Sequence, residues 1–246
     1  MTPLSAWRDA IGGIPEDGLL SLPSPFPAEH LLVLRYPVST RYKKRDETTK
    51  AVAEAILAAV RAHPGNYLAC FPSYAYLKSV QSEIETDCAG VALLPQQSGM
   101  DDAAREAFLS AFQPRDSGAL LGLIVLGGIF GEGVDLRGDR LSGVIVVGVG
   151  LPQICEEREL LRGFYHEKSS DGFARAYRYP GMIRVLQAVG RVIRTERDRG
   201  VALLIDERFF GAEYAALMPS WWGEAAPVYS LDELRKRMED FWLKSV

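Results

Sequence analysis

The sequence is poor in cysteine and has no long apolar segment. Its cysteines, Cys70, Cys88 and Cys155, are three among 246 residues, and their spacing matches no zinc or iron–sulfur pattern. We interpret them as small buried hydrophobic residues in a reducing compartment. No apolar run approaches the ~20 residues of a membrane helix, and no signal peptide is recognisable. These absences argue against a disulfide-stapled scaffold and a membrane protein, and we expect a cytoplasmic protein.

The chain also lacks an excess of positive charge. Its 28 Lys and Arg residues stand against 32 Asp and Glu residues, which gives a net charge of −4. A free-standing, non-specific DNA-binding protein is usually basic, because phosphate neutralisation supplies most of its affinity. The charge therefore argues against a complete nucleic-acid-binding protein. It is compatible with half of a cleft that shares its DNA with another domain.

A phosphate-binding loop of the form G-x-x-x-x-G-K-[ST] is absent as well. Such a loop holds nucleotide phosphates through its backbone amides. The dinucleotide fingerprint G-x-G-x-x-G is not matched either, and no acidic residue follows a second strand at the required distance. The sequence therefore gives little support to an unrelated nucleotide-binding enzyme.

What the sequence contains is a regular alternation of short apolar runs and helical patterns. Strands are predicted at 30–35, 66–71, 91–94, 119–126, 141–147 and 201–205. Helices are predicted at 48–61, 74–85, 101–112, 155–166, 181–194 and 231–243. This alternation predicts an α/β fold, a parallel sheet with helices on both faces. Ligands of such sheets gather at the carboxyl ends of the strands.

The first thirty residues differ in composition from the rest. They are rich in Gly, Pro and Ser and predict a loop with short turns. No internal repeat or low-complexity tract interrupts the remainder. We therefore divide the chain into a loop-rich segment, residues 1–30, and an α/β domain, residues 31–246.

Gln187, Arg191 and Arg194 are spaced by four and three residues. A helix would place all three on one face. The apolar residues between them would lie on the opposite face: Leu186, Val189 and Ile193. Guanidinium groups suit phosphate oxygens, and an arginine delivered across a domain boundary stabilises a transferring phosphoryl group. The alternative is a solvated helix face with ordinary ion pairs to Glu196 or Asp198.

A glycine-rich segment at 127–138 directly follows a predicted buried strand. Its glycines let the backbone turn tightly and approach a ligand closely. Two carboxylates, Glu132 and Asp135, lie three residues apart within it. The alternative is a glycine-rich connection between two strands, without a ligand.

The segment 71–76 lies where a predicted strand ends and a helix begins. Ser73 is a candidate N-cap, and exposed aromatic residues at such a junction can stack on bases of a single strand. Core packing of Tyr74 and Tyr76 is the alternative. A basic segment, RYKKR at 41–45, surrounds a tyrosine with positive charge; it is either a solvated loop or a contact for the phosphate backbone.

Taken in order, these segments resemble the C-terminal half of the XPD/DinG-type helicases, a superfamily 2 group. FPSY at 71–74 resembles motif IV, and GGIFGEGVDL at 127–136 resembles motif V. QAVGRVIRTERDRG at 187–200, followed by IDERF at 205–209, resembles motif VI and is the most specific part. SPF at 24–26 resembles a further family landmark. The resemblance implies a RecA-like second motor domain of an ATP-dependent, 5′→3′ DNA helicase.

The resemblance also implies roles for individual residues. The ATP side would comprise Glu132, Gly133, Asp135, Gln187, Arg191 and Arg194. Of these, Gln187, Arg191 and Arg194 would be catalytic, the two arginines as arginine fingers on the γ-phosphate. The single-stranded DNA side would comprise Phe71, Ser73, Tyr74, Gly127, Gly128, Ile129 and Phe130. ATP would bind with Mg²⁺ only beside the N-terminal motor domain, and this chain would hold no metal.

The start of the chain, MTPLS, resembles the end of motif III of this family. The sequence contains no DEAH box, because Asp46-Glu47 and Asp206-Glu207 lack its context. We therefore expect an isolated domain or a split gene product that is inactive alone, with the N-terminal motor domain and single-stranded DNA as partners. The alternative is a non-catalytic nucleic-acid- or protein-binding module that has kept the fold.

Overall fold

A computed structural model describes residues 3–130 and 135–244. The described strands are β1 Leu31–Tyr36, β2 Gly65–Phe71, β3 Val91–Pro95, β4 Ala119–Val125, β5 Gly143–Val147, β6 Gly200–Ile205 and β7 Ala226–Pro227. They form one seven-stranded sheet in the order β3-β4-β2-β5-β6-β1-β7. Every pairing in it is parallel. The predicted α/β fold with a parallel RecA-like sheet is confirmed.

Helices cover both faces of this sheet. The described α-helices are α1 Leu4–Ala10, α2 Arg45–Arg61, α3 Tyr74–Glu85, α4 Asp102–Ser110, α5 Glu156–Ser169, α6 Tyr179–Val189, α7 Ala212–Ala215 and α8 Leu231–Leu243. A π-helical turn, Ala174–Arg178, leads directly into α6. Among the described residues, no helix has the length and apolar character needed to span a membrane.

The strands are buried on both faces, which explains their continuous apolar runs. Successive residues of β2 enter opposite layers, because side chains alternate along a strand. Tyr67 belongs to the layer that α2, α3 and α8 cover, and Leu68 belongs to the layer that α4 and α6 cover. The two layers form the core on either side of one sheet.

The predicted strands are all present, within a few residues of their expected ends. The structure adds β7, which pairs with β1 at the edge of the sheet. With only two residues, β7 is too short to leave a pattern in the sequence. Its Pro227 is tolerated because an edge strand need not donate every ladder hydrogen bond.

A short helix also stands in the N-terminal segment that the sequence predicts as a loop. This helix, α1, follows Pro3, whose missing N–H costs nothing at a helix start. None of its residues is buried. An ion pair of 2.9 Å between Asp9 and Arg175 fastens α1 to the turn before α6.

Candidate functional site

The segment that ends β2 forms the first part of the site. Ser73 caps α3, because its hydroxyl accepts a hydrogen bond of 3.3 Å from the Tyr76 amide. Phe71 is fully buried and packs edge-on against Tyr76, with ring centroids 6.2 Å apart. The expectation that the Phe71 side chain contacts DNA is therefore corrected: the ring fills the core. Tyr74 is half-buried and remains accessible at the carboxyl edge of the sheet.

Gln96 connects this segment to the end of β4, and the sequence analysis missed it. Its side-chain amide donates to the Tyr74 hydroxyl at 2.6 Å, and its side-chain oxygen accepts from the Val125 amide at 2.8 Å. The residue is only 4% exposed. The available signal was a polar residue directly after β3, at the edge where ligands of parallel sheets bind.

The glycine-rich segment begins at the same edge, after β4. Gly127 has a φ of +75°, and a Cβ placed there would lie 2.9 Å from the Nε atom of Arg184 on α6. The positive φ favours glycine here, whereas the flexible Arg184 side chain could move aside for a Cβ. Gly128 and Ile129 are exposed. Two residues predicted for the ATP side, Glu132 and Gly133, lie outside the described residues.

Phe130 is not available to a ligand through its side chain. It is 1% exposed, and its ring lies 4.5 Å from that of Phe108. Its backbone carbonyl accepts a hydrogen bond from the Arg191 guanidinium. Only Gly127, Gly128 and Ile129 of the predicted DNA contacts in this segment are accessible, which corrects the expectation for Phe130.

The predicted helix through Arg194 ends early, since α6 stops at Val189 and Gly190 follows as its C-cap. Arg191 then turns inward and is 5% exposed. Burial lowers the pKa of its guanidinium from the ordinary value. Its hydrogen bond to the Phe130 carbonyl satisfies a donor of this buried cation. The single helical face that the spacing predicted is therefore wrong.

Gln187 and Arg194 remain exposed on the surface beside Arg191. Asp198 shapes the turn after Arg194 rather than the helix face. Its carboxylate accepts the amides of Arg194 and Thr195 at 2.7 and 2.9 Å and the Thr195 hydroxyl at 2.6 Å. This turn holds Arg194 at a defined place on the surface.

Asp135 lies within the electrostatic reach of Arg194. A hydrogen bond from Arg137 lowers the pKa of Asp135, and the charges of Arg137 and Arg194 add to the effect. Asp135 itself pairs with Arg137, at 2.9 Å. The turn after Arg194 lies near the amino end of β6, where Val192 packs so tightly that a Cβ at Gly200 would lie 2.4 Å from it.

The site therefore has two parts. Tyr74, Gly127 and Gly128 lie at the carboxyl edge of the sheet, whereas Arg194 and Asp135 lie toward its amino edge. Helix α6 runs between them, because β5 and β6 are parallel neighbours and the chain must cross back. The guanidinium of Arg191 bonds the Phe130 carbonyl and so connects the turn after α6 to the glycine-rich segment after β4.

A buried cluster at the carboxyl ends of β6 and β1 was not predicted. Asp206 is fully buried and accepts two hydrogen bonds from Arg208, of 2.7 and 2.8 Å. The Thr40 hydroxyl donates to Oδ2 of the same carboxylate, the oxygen that also accepts from Nη2 of Arg208. Bidentate pairing of this kind compensates the cost of burying the charge. Among the described residues, no group of His, Cys, Asp and Glu is arranged to hold a metal ion.

Comparisons with known proteins agree with this architecture. The family model described as the helicase C-terminal domain matches residues 56–225. A probable ATP-dependent helicase of Methanocaldococcus jannaschii is 29% identical over 218 residues, which are 80% of this chain and 32% of that protein. The ATP-dependent DNA helicase XPD of Sulfolobus acidocaldarius is 29% identical over 182 residues, 70% of this chain and 30% of its own.

Solved structures give the same fold. An XPD structure in the apo state has a TM-score of 0.65 at 22% identity, over 81% of this chain and 40% of that one. The chain spans about a third of the length of the two curated relatives named above. Because the family model covers well over half of the sequence, the chain belongs to the helicase C-terminal domain family, as a RecA-like second motor domain of the XPD/DinG type.

Proposed function

We propose that this chain is the C-terminal half of an ATP-dependent DNA helicase that couples hydrolysis to movement along a single strand and to duplex unwinding. The observation that carries the proposal is the bond between Arg191 and the Phe130 carbonyl. It connects the arginine-rich turn, residues 191–199, to the glycine-rich segment, residues 127–138. A conformational change in either segment would therefore alter the other. Relatives named as ATP-dependent helicases support the reaction class.

On the ATP side, the chain supplies cations to a site that it shares with the N-terminal motor domain. Arg194 is exposed and has the charge and fork geometry for a γ-phosphate. Arg191 reaches phosphate only if its guanidinium leaves the Phe130 carbonyl, so nucleotide binding and the glycine-rich segment compete for it. Gln187 and Asp135 stand beside these arginines, and Glu132 and Gly133 complete the proposed set.

Magnesium accompanies ATP and is held by the other domain in this proposal. Among the described residues, no cluster of metal ligands exists. Guanidinium and amide donors suit phosphate oxygens but not a divalent cation. The residues present fit the role of stabilising phosphate charge, and the metal ligands belong to the partner.

On the DNA side, the accessible groups lie at the carboxyl edge of the sheet. Tyr74 offers an aromatic ring, and Ser73, Gly127, Gly128 and Ile129 offer backbone and small polar groups. Phe71 and Phe130 contribute only from the core, by supporting the backbone of these segments. Contacts of this kind hold a single strand with little regard to its sequence.

The test is DNA-stimulated ATPase of the helicase assembled from this chain and its N-terminal motor domain. We expect Arg194→Ala and Arg191→Ala each to lower turnover by about 10³-fold or more while DNA binding persists. Arg197→Ala is the matched control, because Arg197 is an exposed arginine in the same turn. The chain alone is expected to show no turnover.

Robust ATP hydrolysis by the chain alone would contradict the proposal. Normal hydrolysis by both arginine variants would contradict it as well. In that case the arginine turn is only a charged surface, and a non-catalytic binding module becomes the better interpretation.

A further inference from the structure

The basic segment at residues 41–44 has no role in the function proposed above. It follows β1 at the carboxyl edge of the sheet, and a 3-10 turn, Tyr42–Lys44, forms most of it. The Tyr42 ring is 84% exposed. The ring gains nothing from core packing and is open to a stacking partner.

The two residues that flank the segment, Thr40 and Arg45, are fixed by contacts with the rest of the domain. Thr40, immediately before it, is buried and hydrogen-bonded to Asp206. Arg45, immediately after it, donates to the Thr40 carbonyl at 3.2 Å. The Arg45 guanidinium lies 4.4 Å from the Tyr76 ring centroid and 5.5 Å from that of Tyr42. These contacts fix both ends of the segment and hold one side of the Tyr42 ring.

The charges of the segment are available to a polyanion. Arg41 pairs with Glu207 at 2.6 Å and Lys44 with Glu47 at 3.0 Å, and all four side chains are largely solvent-exposed. Exposed pairs of this kind contribute little, so a phosphate can replace the carboxylate. Among the described residues, Lys43 forms no ion pair.

A groove continues from the segment across the same edge. Its volume is about 460 Å³, and its charged lining residues are Arg41, Arg178, Arg208, Glu207 and Glu213. Glu207 pairs with Arg41 and Glu213 with Arg178, while Arg208 pairs with the buried Asp206, so the cations outnumber the carboxylates of the lining by one. Phe173 is 47% exposed and adds a second aromatic ring. Single-stranded nucleic acid is bound by cations that follow its backbone and by rings that stack on its bases. Exposed Lys43 and Arg41 supply cations here, and Tyr42 and Phe173 supply exposed rings.

The distance to the first DNA-side motif is short. Between β1, which precedes the segment, and β2, which precedes Tyr74, only β5 and β6 intervene. Three strand spacings correspond to roughly 14 Å. Arg45 also contacts Tyr76 in the first turn of α3, so the two regions are linked directly.

We propose that segment 41–44 and the adjoining groove bind the backbone and bases of the same single DNA strand that contacts Tyr74. Lys43 and Arg41 contact phosphates, and Tyr42 stacks on a base. This inference rests on the function proposed above, because it extends the DNA path of that motor.

The experiment measures binding of a fluorescent oligothymidine and of an abasic strand of equal length to the assembled helicase, from about 50 to 200 mM salt. Tyr42→Ala is expected to raise Kd for oligothymidine by about 5- to 150-fold. Its effect on the abasic strand, which has no base to stack, is expected to be much smaller. Lys43→Gln is expected to reduce the slope of log K against log salt by about 0.7, the share of one phosphate.

Lys236→Gln is the matched control, since it removes the same charge from an exposed site on α8, outside the segment and groove. Thermal unfolding of each variant checks that the fold is kept. Unchanged affinity and salt slope in the Tyr42 and Lys43 variants, with Tyr74→Ala still weakening binding, would overturn this inference alone. Absence of DNA binding by the unmodified helicase would overturn both proposals. If the Tyr42 and Lys43 variants lose binding to the N-terminal domain but keep binding to DNA, the segment is a domain interface, and this inference is overturned.

Discussion

Arg191 donates a hydrogen bond from its guanidinium to the backbone carbonyl of Phe130, although the two residues are separated by 61 positions in the chain. The bond passes from the turn after α6 to the glycine-rich segment after β4. Both ends are buried, with Arg191 5% and Phe130 1% exposed. Because both residues are shielded from water, loss of this bond would leave the Phe130 carbonyl without its donor, at a cost in free energy.

Arg191 and Arg194 are expected to contribute differently to the stability of the fold. Arg191→Met is expected to destabilise the fold by about 1–3 kcal/mol, because the Phe130 carbonyl loses a buried donor. Arg194→Met, on the exposed surface, is expected to change stability little. Urea denaturation of both variants checks this. Equal destabilisation by the two changes would contradict the difference in burial.

Gln96 is expected to stabilise the carboxyl edge by bridging two strands. Gln96→Met keeps the shape but leaves the Val125 amide without its acceptor, which costs about 1–3 kcal/mol. Gln97→Met is the control, because Gln97 is exposed and makes only a long contact of 3.4 Å to the Pro95 carbonyl. If Gln96→Met proves no more destabilising than Gln97→Met, the bridge contributes nothing. Weaker binding of single-stranded DNA by Gln96→Met would further indicate that the Gln96 side chain positions Tyr74 for DNA.

Two helical glycines provide a contrast in packing. A Cβ at Gly181 would lie 2.6 Å from the Val149 carbonyl oxygen, so Gly181→Ala forces α6 away from the end of β5. We expect a loss of about 1–3 kcal/mol. Gly163, in α5, has open space around it, and Gly163→Ala is expected to stabilise by about 0.5–1 kcal/mol. Thermal unfolding of both variants gives the sign of each stability change. A more stable Gly181→Ala variant would refute the close approach between α6 and the Val149 carbonyl.

Alkaline pH should weaken the fold through a buried thiol. Burial raises the pKa of Cys70 from 9.0 to about 11. Because the folded pKa is the higher one, the stability is fully present below pH 9, falls as the unfolded thiol ionises, and is lost by about pH 11. The loss amounts to roughly 2–3 kcal/mol. Burial also raises the pKa of Tyr67, which adds to the slope above pH 10.

Cys70→Ala is the variant that isolates this effect. It loses side-chain contacts, so its stability is lower at neutral pH, but its profile between pH 9 and 11 should be flatter than that of the unmodified chain. Urea midpoints collected across this range give the comparison. Parallel profiles for the two proteins would show that the thiol does not ionise on unfolding.

Much of the fold can be predicted from the pattern of residues along the chain. The continuous apolar runs of β4 and β5 indicate strands covered on both faces, because only a sheet buried on both sides removes every side chain from water. The three motif-like segments also follow one another along the chain in the order of the XPD/DinG-type helicases, and this resemblance implies a motor domain. These features depend on local pattern, and local pattern is preserved in the sequence.

The conformation of the site depends on contacts that no local pattern contains. Spacing alone extends α6 through Arg194, but the helix ends at Val189, where Val192 packs on the start of β6 and Arg191 turns to the Phe130 carbonyl. The burial of Phe71 and the bridge made by Gln96 likewise depend on strands that are distant in the chain. The parallel sheet, the motif order and the residue types available for phosphate and DNA therefore follow from the amino-acid sequence. Which of those side chains face solvent follows from the folded structure, because it depends on packing and hydrogen bonds between segments far apart in the chain.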